Sequence, residues 1–237
     1  LVLTSCTYDG FRYDLAPIIR HAHAAGIKVL VDEAWYAHGR FHPELHPCAL
    51  DCGADYVTQS THKMLSAFSQ ASMIHVSDPD FDLHRFRENL NMHTSTSPQY
   101  AMIASLDVAR KQMSMEGFAR LQDCFRIATQ LREGIDRTGV FRVLTLDDML
   151  PHALRDDTIR LDPLKLSVDV SASGYSARQL QLLLFEDYGI QIEKVTHNTL
   201  SILVTLGSTE SKVLRLLNAL QALGRAAPGQ AGASSPR

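Results

Sequence analysis

Ile27-Lys28-Val29-Leu30-Val31, running on into Asp32-Glu33-Ala34-Trp35, decides the fold. The first five residues are mostly apolar and rich in β-branched side chains, and they follow a helical segment that stops at Gly26, so they read as a buried strand. Asp32 then falls at the strand's carboxyl end. Upstream, Asp14 stands at a helix-capping position, and Leu15, Ile18, Ile19 and Ala22 recur at the i, i+3, i+4, i+7 spacing of one apolar face. Leu1-Val2-Leu3-Thr4 reads as an earlier strand. Strand, helix, strand is a βαβ unit and implies a parallel sheet. Downstream, Ala54-Asp55-Tyr56-Val57-Thr58-Gln59 begins after Gly53 as the next strand, and Ser60-Thr61-His62-Lys63 lies just past its end. Ala71 to Val76 adds another.

Asp32 and Lys63 are thereby delivered to one edge, where open α/β sheets bind ligands. Packing explains neither charge, because a core favours neither. Together they are the minimum set for holding pyridoxal phosphate. A lysine amine forms a Schiff base with the cofactor aldehyde once it has lost a proton. A carboxylate paired with the pyridine nitrogen keeps the ring able to accept electrons from a breaking bond. Ser60 and Thr61 offer hydroxyls to a phosphate, and His62 is placed to touch the cofactor or move a proton.

The 237 residues are 45% hydrophobic with a net charge of -3, which allows a sizeable core and does not suggest a nucleic-acid surface. No apolar stretch approaches the roughly 18 residues of a membrane span and no signal peptide opens the chain, so a cytoplasmic protein is expected. Cys6, Cys48, Cys52 and Cys124 read as free thiols. No second ligand pair of zinc spacing follows Cys48 and Cys52, and the histidines form no metal-like cluster, so no metal is expected.

The Asp-rich stretch from Ser77 to Asp82 reads as a polar connection. Helix is expected from about Gln99 through Gln112 and again from Glu116 to about Thr138. Strands are expected over Phe141 to Leu146, Lys165 to Val170, Ile190 to Val195 and Thr199 to Leu206. Ser176 with Gln179 forms a capping box before a helix burying Leu180, Leu183 and Leu184. A last helix buries Val213, Leu216, Leu217 and Leu220. The expected fold is α/β: part of a mostly parallel-sheet large domain over 1–115, a linking helix over 116–140, a small α+β domain with a largely antiparallel sheet over 141–223, and a disordered tail over 224–237.

Thr58-Gln59-Ser60-Thr61-His62-Lys63, with Ala67 to Val76 after it, closely resembles the bacterial ornithine/lysine/arginine decarboxylases. Thr7-Tyr8-Asp9-Gly10, Asp32 to Trp35, Met92 to Pro98 (MHTSTSP), Leu161-Asp162-Pro163-Leu164-Lys165 and Gly189 to Lys194 (GIQIEK) agree in order, so the resemblance covers nearly everything from Leu1 to Leu223. It implies the aspartate-aminotransferase type of fold, pyridoxal 5'-phosphate, and a homodimer or higher oligomer with active sites at the subunit interface. Lys63 resembles the Schiff-base lysine, Asp32 the partner of the pyridine nitrogen, and Ala34 the small residue packed near the ring. Ser60 and His62 resemble the cofactor contacts. Thr96 and Ser97, in the Ser95-Thr96-Ser97-Pro98 motif, would complete the neighbouring subunit's phosphate pocket. Trp35 is implied on the substrate side, and Glu193 as a contact for the distal amine. The reaction implied is decarboxylation of a basic amino acid to an amine and carbon dioxide.

Two departures stand against the family pattern. The Gly/Ser/Thr phosphate turn and ring-stacking His that the family places upstream are not found, and no methionine opens the chain, so a carboxyl-terminal part of a longer enzyme is expected. The segment from Leu150 to Arg160 is also briefer than the connection in the large lysine and arginine enzymes, which leaves the substrate open. A fold-related aminotransferase or lyase would use the same Asp and Lys, and an inactive remnant is a further alternative. A nucleotide-hydrolysing reading of Asp32-Glu33-Ala34 fails, since no P-loop accompanies it. Structural readings also stand beside the functional ones: Asp32 as a helix cap, Trp35 as core, Ser95 to Ser97 as a turn, Glu193 as a strand-face charge.

Overall fold

The computed structural model describes residues 1–155 and 157–226 and divides into two compact units, Leu1–Tyr8 with Arg12–Leu121, and Asp9–Phe11 with Gln122 onward. The first unit contains β1 (Val2–Thr4), α1 (Leu15–Ala24), β3 (Leu30–Asp32), β4 (Tyr56–Gln59), the single-turn α2 (Thr61–Met64), β5 (Met73–Val76) and α3 (Leu83–His93). A two-residue β2 (Phe11–Arg12) stands between β1 and α1. Sheet order is β1-β3-β4-β5. The first three strands are parallel, with Thr4, Asp32 and Thr58 in register at their ends, and β5 runs antiparallel to β4. Leu15, Ile19 and Ala22 of α1 pack on Val29, Val31, Ala54 and Val57. Ile18, expected in that stripe, is 39% exposed: Leu15, Ile19 and Ala22 already define the contact line, and Ile18 falls at its margin.

Several expectations are corrected here. The strand expected over Ile27 to Val31 pairs only from Leu30 to Asp32. Asp14 holds the cap position of α1 but makes no side-chain capping bond. The stretch after Asp82 is helical, with the Asp82 side chain accepting from Arg85 N at 2.9 Å. None of the residues of α3 is buried. The two expected helical segments are one 37-residue helix, α4 (Tyr100–Asp136). Gly117 lies within the second of those expected segments, and a Cβ there would come within 3.2 Å of Phe41 Cβ and 3.0 Å of Met113 Cε. That glycine serves close packing, at about 1 kcal/mol of helix propensity, and does not end the helix.

The second unit carries β6 (Arg142–Val143), α5 (Leu146–Met149), β7 (Arg160–Leu161), β8 (Lys165–Asp169), α6 (Ala177–Glu186), β9 (Lys194–Val195), β10 (Thr199–Leu203) and α7 (Glu210–Arg225). Its antiparallel sheet has the order β6-β8-β10-β9. The Ser176 capping box forms as expected, and α6 buries Ala177, Leu180 and Leu184 while Leu183 is half-buried. On α7, Val213, Leu216, Leu217, Leu220 and Leu223 are buried.

Three strands are shorter than the sequence suggests. The strand at Phe141 ends at Val143, because a second capping box, Thr145 with Asp148, turns the chain into α5. The strand expected from Ile190 begins only at Lys194, because Ile190 N donates to Leu184 O at 2.7 Å and folds back on α6. At Val204 the chain leaves β10, and the Ser208 hydroxyl accepts from Thr205 N at 3.0 Å in a turn. Helix α7 extends to Arg225, so the first residues of the expected tail are helical; the rest of that expectation, from 227 on, lies outside the described residues.

Candidate active site

Alternation along the parallel strands sorts the residues at this edge. Val31, paired with Val57, faces the α1 core, so Asp32, paired with Thr58, faces the opposite side of the sheet. Asp32 O accepts from Ser5 N at 3.0 Å, and Asp32 Oδ1 accepts from Ala34 N at 2.8 Å in an Asx-type turn. The turn fixes the carboxylate just where the strand ends. Its second oxygen has no hydrogen-bond partner among the described residues, and stands ready for a donor such as a protonated ring nitrogen.

Beyond β4, Ser60 occupies the cap position of α2 without a side-chain capping bond, so its hydroxyl is uncommitted there. Its carbonyl accepts from Lys63 N at 3.1 Å, while His62 N donates to Ala71 O at 3.2 Å. The single turn thus pins the backbone on both sides of Lys63. Lys63 is half-buried and has no ion-pair partner among the described residues; its Nζ lies 4.3 Å from the centroid of the Trp35 ring. Trp35 is in turn met edge-on by Tyr8, with ring centroids 4.6 Å apart. A lysine held against an aromatic face and outside any salt bridge is free to exchange that contact for a covalent bond. These residues therefore fit a pyridoxal phosphate: an amine for its aldehyde, a carboxylate for its ring nitrogen, a hydroxyl for its phosphate, and an indole beside them.

Asp32, Ala34, Trp35, Ser60, His62 and Lys63 thus stand at the ends of two adjacent strands. Thr96 and Ser97 do not join them through any hydrogen bond among the described residues. They are exposed in the link between α3 and α4, where Ser97 N donates to Ser95 Oγ at 3.1 Å. Glu193 belongs to the second unit, exposed and just ahead of β9. Next to it, Lys194 Nζ contacts both oxygens of Asp9, at 2.7 and 2.9 Å.

Sequence reasoning passed over the part that Glu33 plays at this edge. Glu33 is completely buried and accepts from Ala49 N at 2.7 Å and from Gln59 Nε2 at 2.8 Å. Burial raises its pKa above the usual carboxylate range, and the Gln59 and Ala49 bonds pull it back down. An Asp-Glu pair after a strand gave no hint of which acid faces inward. The Leu161 to Lys165 motif is equally structural: Asp162 Oδ1 accepts from Leu164 N at 3.0 Å, and Asp162 N donates to Gly10 O at 2.8 Å. Gly10 has a φ of +99°, and a Cβ there would sit 3.2 Å from Lys165 Cβ, which accounts for a glycine in the Thr7 to Gly10 motif.

Comparison with known proteins gives one answer. The chain is 35% identical to an arginine decarboxylase of Bacillus cereus over 94% of its length, covering 48% of that protein. It is 34% identical to a lysine decarboxylase of Pseudomonas aeruginosa, covering 35% of it. It therefore spans less than half the length of either decarboxylase. Among solved structures, the Francisella novicida lysine decarboxylase superposes with a TM-score of 0.81 at 27% identity, over 94% of this chain and 36% of that one. A Bacillus subtilis ureidoglycine-glyoxylate aminotransferase superposes with a TM-score of 0.73 at 17% identity, over 99% of this chain and 62% of that one, which shows the shared fold alone. Residues 1–212 match the model of the Orn/Lys/Arg decarboxylase major domain, and the chain belongs to that family.

Proposed function

We propose that this chain serves the pyridoxal-phosphate-dependent decarboxylation of ornithine, lysine or arginine to the corresponding amine and carbon dioxide, with Lys63 as the covalent anchor. The observation that carries this reading is the Lys63 amine, without an ion pair among the described residues and 4.3 Å from the Trp35 ring centroid, in the helical turn that follows β4, the strand paired with the one that ends in Asp32. When bound, the cofactor supplies an electron sink for the pair left behind as carbon dioxide departs. Asp32 keeps the sink effective by holding a proton on the ring nitrogen. Ala34, lacking bulk, leaves room for the ring, and the Ser60 hydroxyl donates to the phosphate. His62 orients the reacting group and moves a proton, and Lys63 returns a proton to the α-carbon. Trp35 lines the substrate side.

The family's interface arrangement is proposed for this chain too. Helix α3 buries none of its residues, and Leu90, Met92, Tyr100 and Ile103 are exposed around the link holding Thr96 and Ser97. Apolar surface of that kind is suited to a second copy, whose site would receive the two hydroxyls. Free thiols at all four cysteines fit a reducing, cytoplasmic setting.

Relatives named for arginine and for lysine are about equally similar, so the proposal stops at the class of basic amino acids. The test is to supply the protein carrying this chain with the three amino acids and identify the products. An amine with stoichiometric carbon dioxide supports the proposal. A keto acid from transamination overturns it.

A further inference from the structure

We infer that Glu33 is a positioning residue, which ties the end of β3 to the end of β4 through Gln59 and so sets the placement of Asp32 relative to Lys63. Glu33 stands one residue after Asp32, and Gln59 one residue before Ser60. Its backbone N donates to Thr58 O at 2.8 Å, prolonging the β3-β4 ladder past the last strand residue. Its carboxylate, wholly buried, accepts from Gln59 Nε2 at 2.8 Å with one oxygen and from Ala49 N at 2.7 Å with the other. Gln59 Oε1 lies 3.0 Å from His75 Nε2, so the tie continues to β5.

The chain of bonds has a direction. Gln59 turns its NH2 to Glu33 and its carbonyl to His75, and a carbonyl accepts only, so His75 Nε2 carries the proton. Burial holds the pKa of His75 below the usual histidine range, which keeps the ring neutral with one proton to assign. A carboxyl group is costly to bury, and ordinary core packing does not require one at this position. What the carboxylate provides is two acceptors in fixed directions, from Ala49 on one side and Gln59 on the other. Removing it releases the β4 end, and with it the turn that carries Ser60 and Lys63.

This inference rests on the proposed role of Lys63, and the experiment separates the two. Pyridoxal phosphate is titrated into the wild-type protein and into Glu33→Ala, Glu33→Gln and Gln59→Leu, following the visible band of the Lys63-bound cofactor and its pH midpoint. Amide exchange at Ser60 to Leu65 is followed without cofactor, and the His75 ring nitrogens are observed by NMR. Glu33→Ala is expected to weaken cofactor binding roughly tenfold, with a shifted pH midpoint and faster exchange at Lys63. Should it fail to fold, Gln59→Leu cuts the same tie while leaving the Ala49 bond, and is expected to do likewise. Glu33→Gln is expected to restore binding to within about threefold, because the Gln59 amide can turn over and accept from the new side chain; the His75 proton then moves from Nε2 to Nδ1. Unchanged binding, midpoint and exchange in Glu33→Ala or Gln59→Leu overturns the inference, as does a His75 tautomer indifferent to Glu33→Gln. No cofactor band in the wild-type protein overturns the role of Lys63 instead, and the exchange and tautomer results then decide the tie.

Discussion

The Nζ of Lys63 lies 4.3 Å from the centroid of the Trp35 ring, the geometry of an ammonium resting on an aromatic face. Such a contact is worth about 0.5 to 2 kcal/mol, according to how far it is withdrawn from water. To react with an aldehyde the amine must leave the ring and shed its proton, so the contact stabilises the unreacted protein. Trp35→Leu is therefore expected to speed the reaction of the cofactor-free protein with pyridoxal phosphate by about two- to thirtyfold, and Trp35→Phe by less. Stopped-flow absorbance measures it. A slower reaction in Trp35→Leu would show that the indole guides the cofactor in and does not merely hold the lysine.

The Leu161 to Lys165 motif makes a prediction about stability. Asp162 and Lys165 are both buried, with Nζ and Oδ2 3.7 Å apart. Removing one member of a buried pair costs about 3 to 5 kcal/mol, since the desolvation of the other is then less fully compensated. Asp162→Ala should lose about that much in urea unfolding, and should also release Leu164 N from the turn that the Asp162 carboxylate organises. Asp162→Leu combined with Lys165→Met is expected to recover most of the loss.

The first unit should also be acid-sensitive at a defined place. Hydrogen bonds from Lys28, and then from the Tyr56 hydroxyl, hold the Asp78 carboxyl down at about 2 from an ordinary 3.8. A pKa lower in the folded than in the unfolded state means stability that is complete above the unfolded value and lost as pH falls through the folded one. Unfolding of the wild-type protein should therefore grow easier as pH drops from about 4 to about 2. Asp78→Asn, which cannot titrate, is expected to be less stable at neutral pH and to have a flatter profile in that window. Equal slopes would deny the coupling.

The elements visible in the sequence are those whose pattern repeats or whose chemistry is local. The apolar run into Asp32, the Ser176 box and the leucine stripe of α7 each announce themselves within about a dozen residues. Lys63 and Asp32 could be placed at one edge because parallel strands present all their carboxyl ends to the same side. Helix α3 was passed over although Leu83, Phe86 and Leu90 recur at helical spacing, a stripe of three among charged and polar residues that is short for a reading by pattern. Glu33 was passed over because its partners, Ala49 and Gln59, lie 16 and 26 residues away and come together only in the folded sheet.

Borohydride reduction of the protein incubated with pyridoxal phosphate, followed by peptide mapping, tests the assignment of Lys63 most directly. A pyridoxyl group is expected on Lys63 and none on Lys28 or Lys111, with loss of both the label and carbon dioxide release in Lys63→Ala. A label on another lysine, or carbon dioxide release that persists in Lys63→Ala, would contradict it.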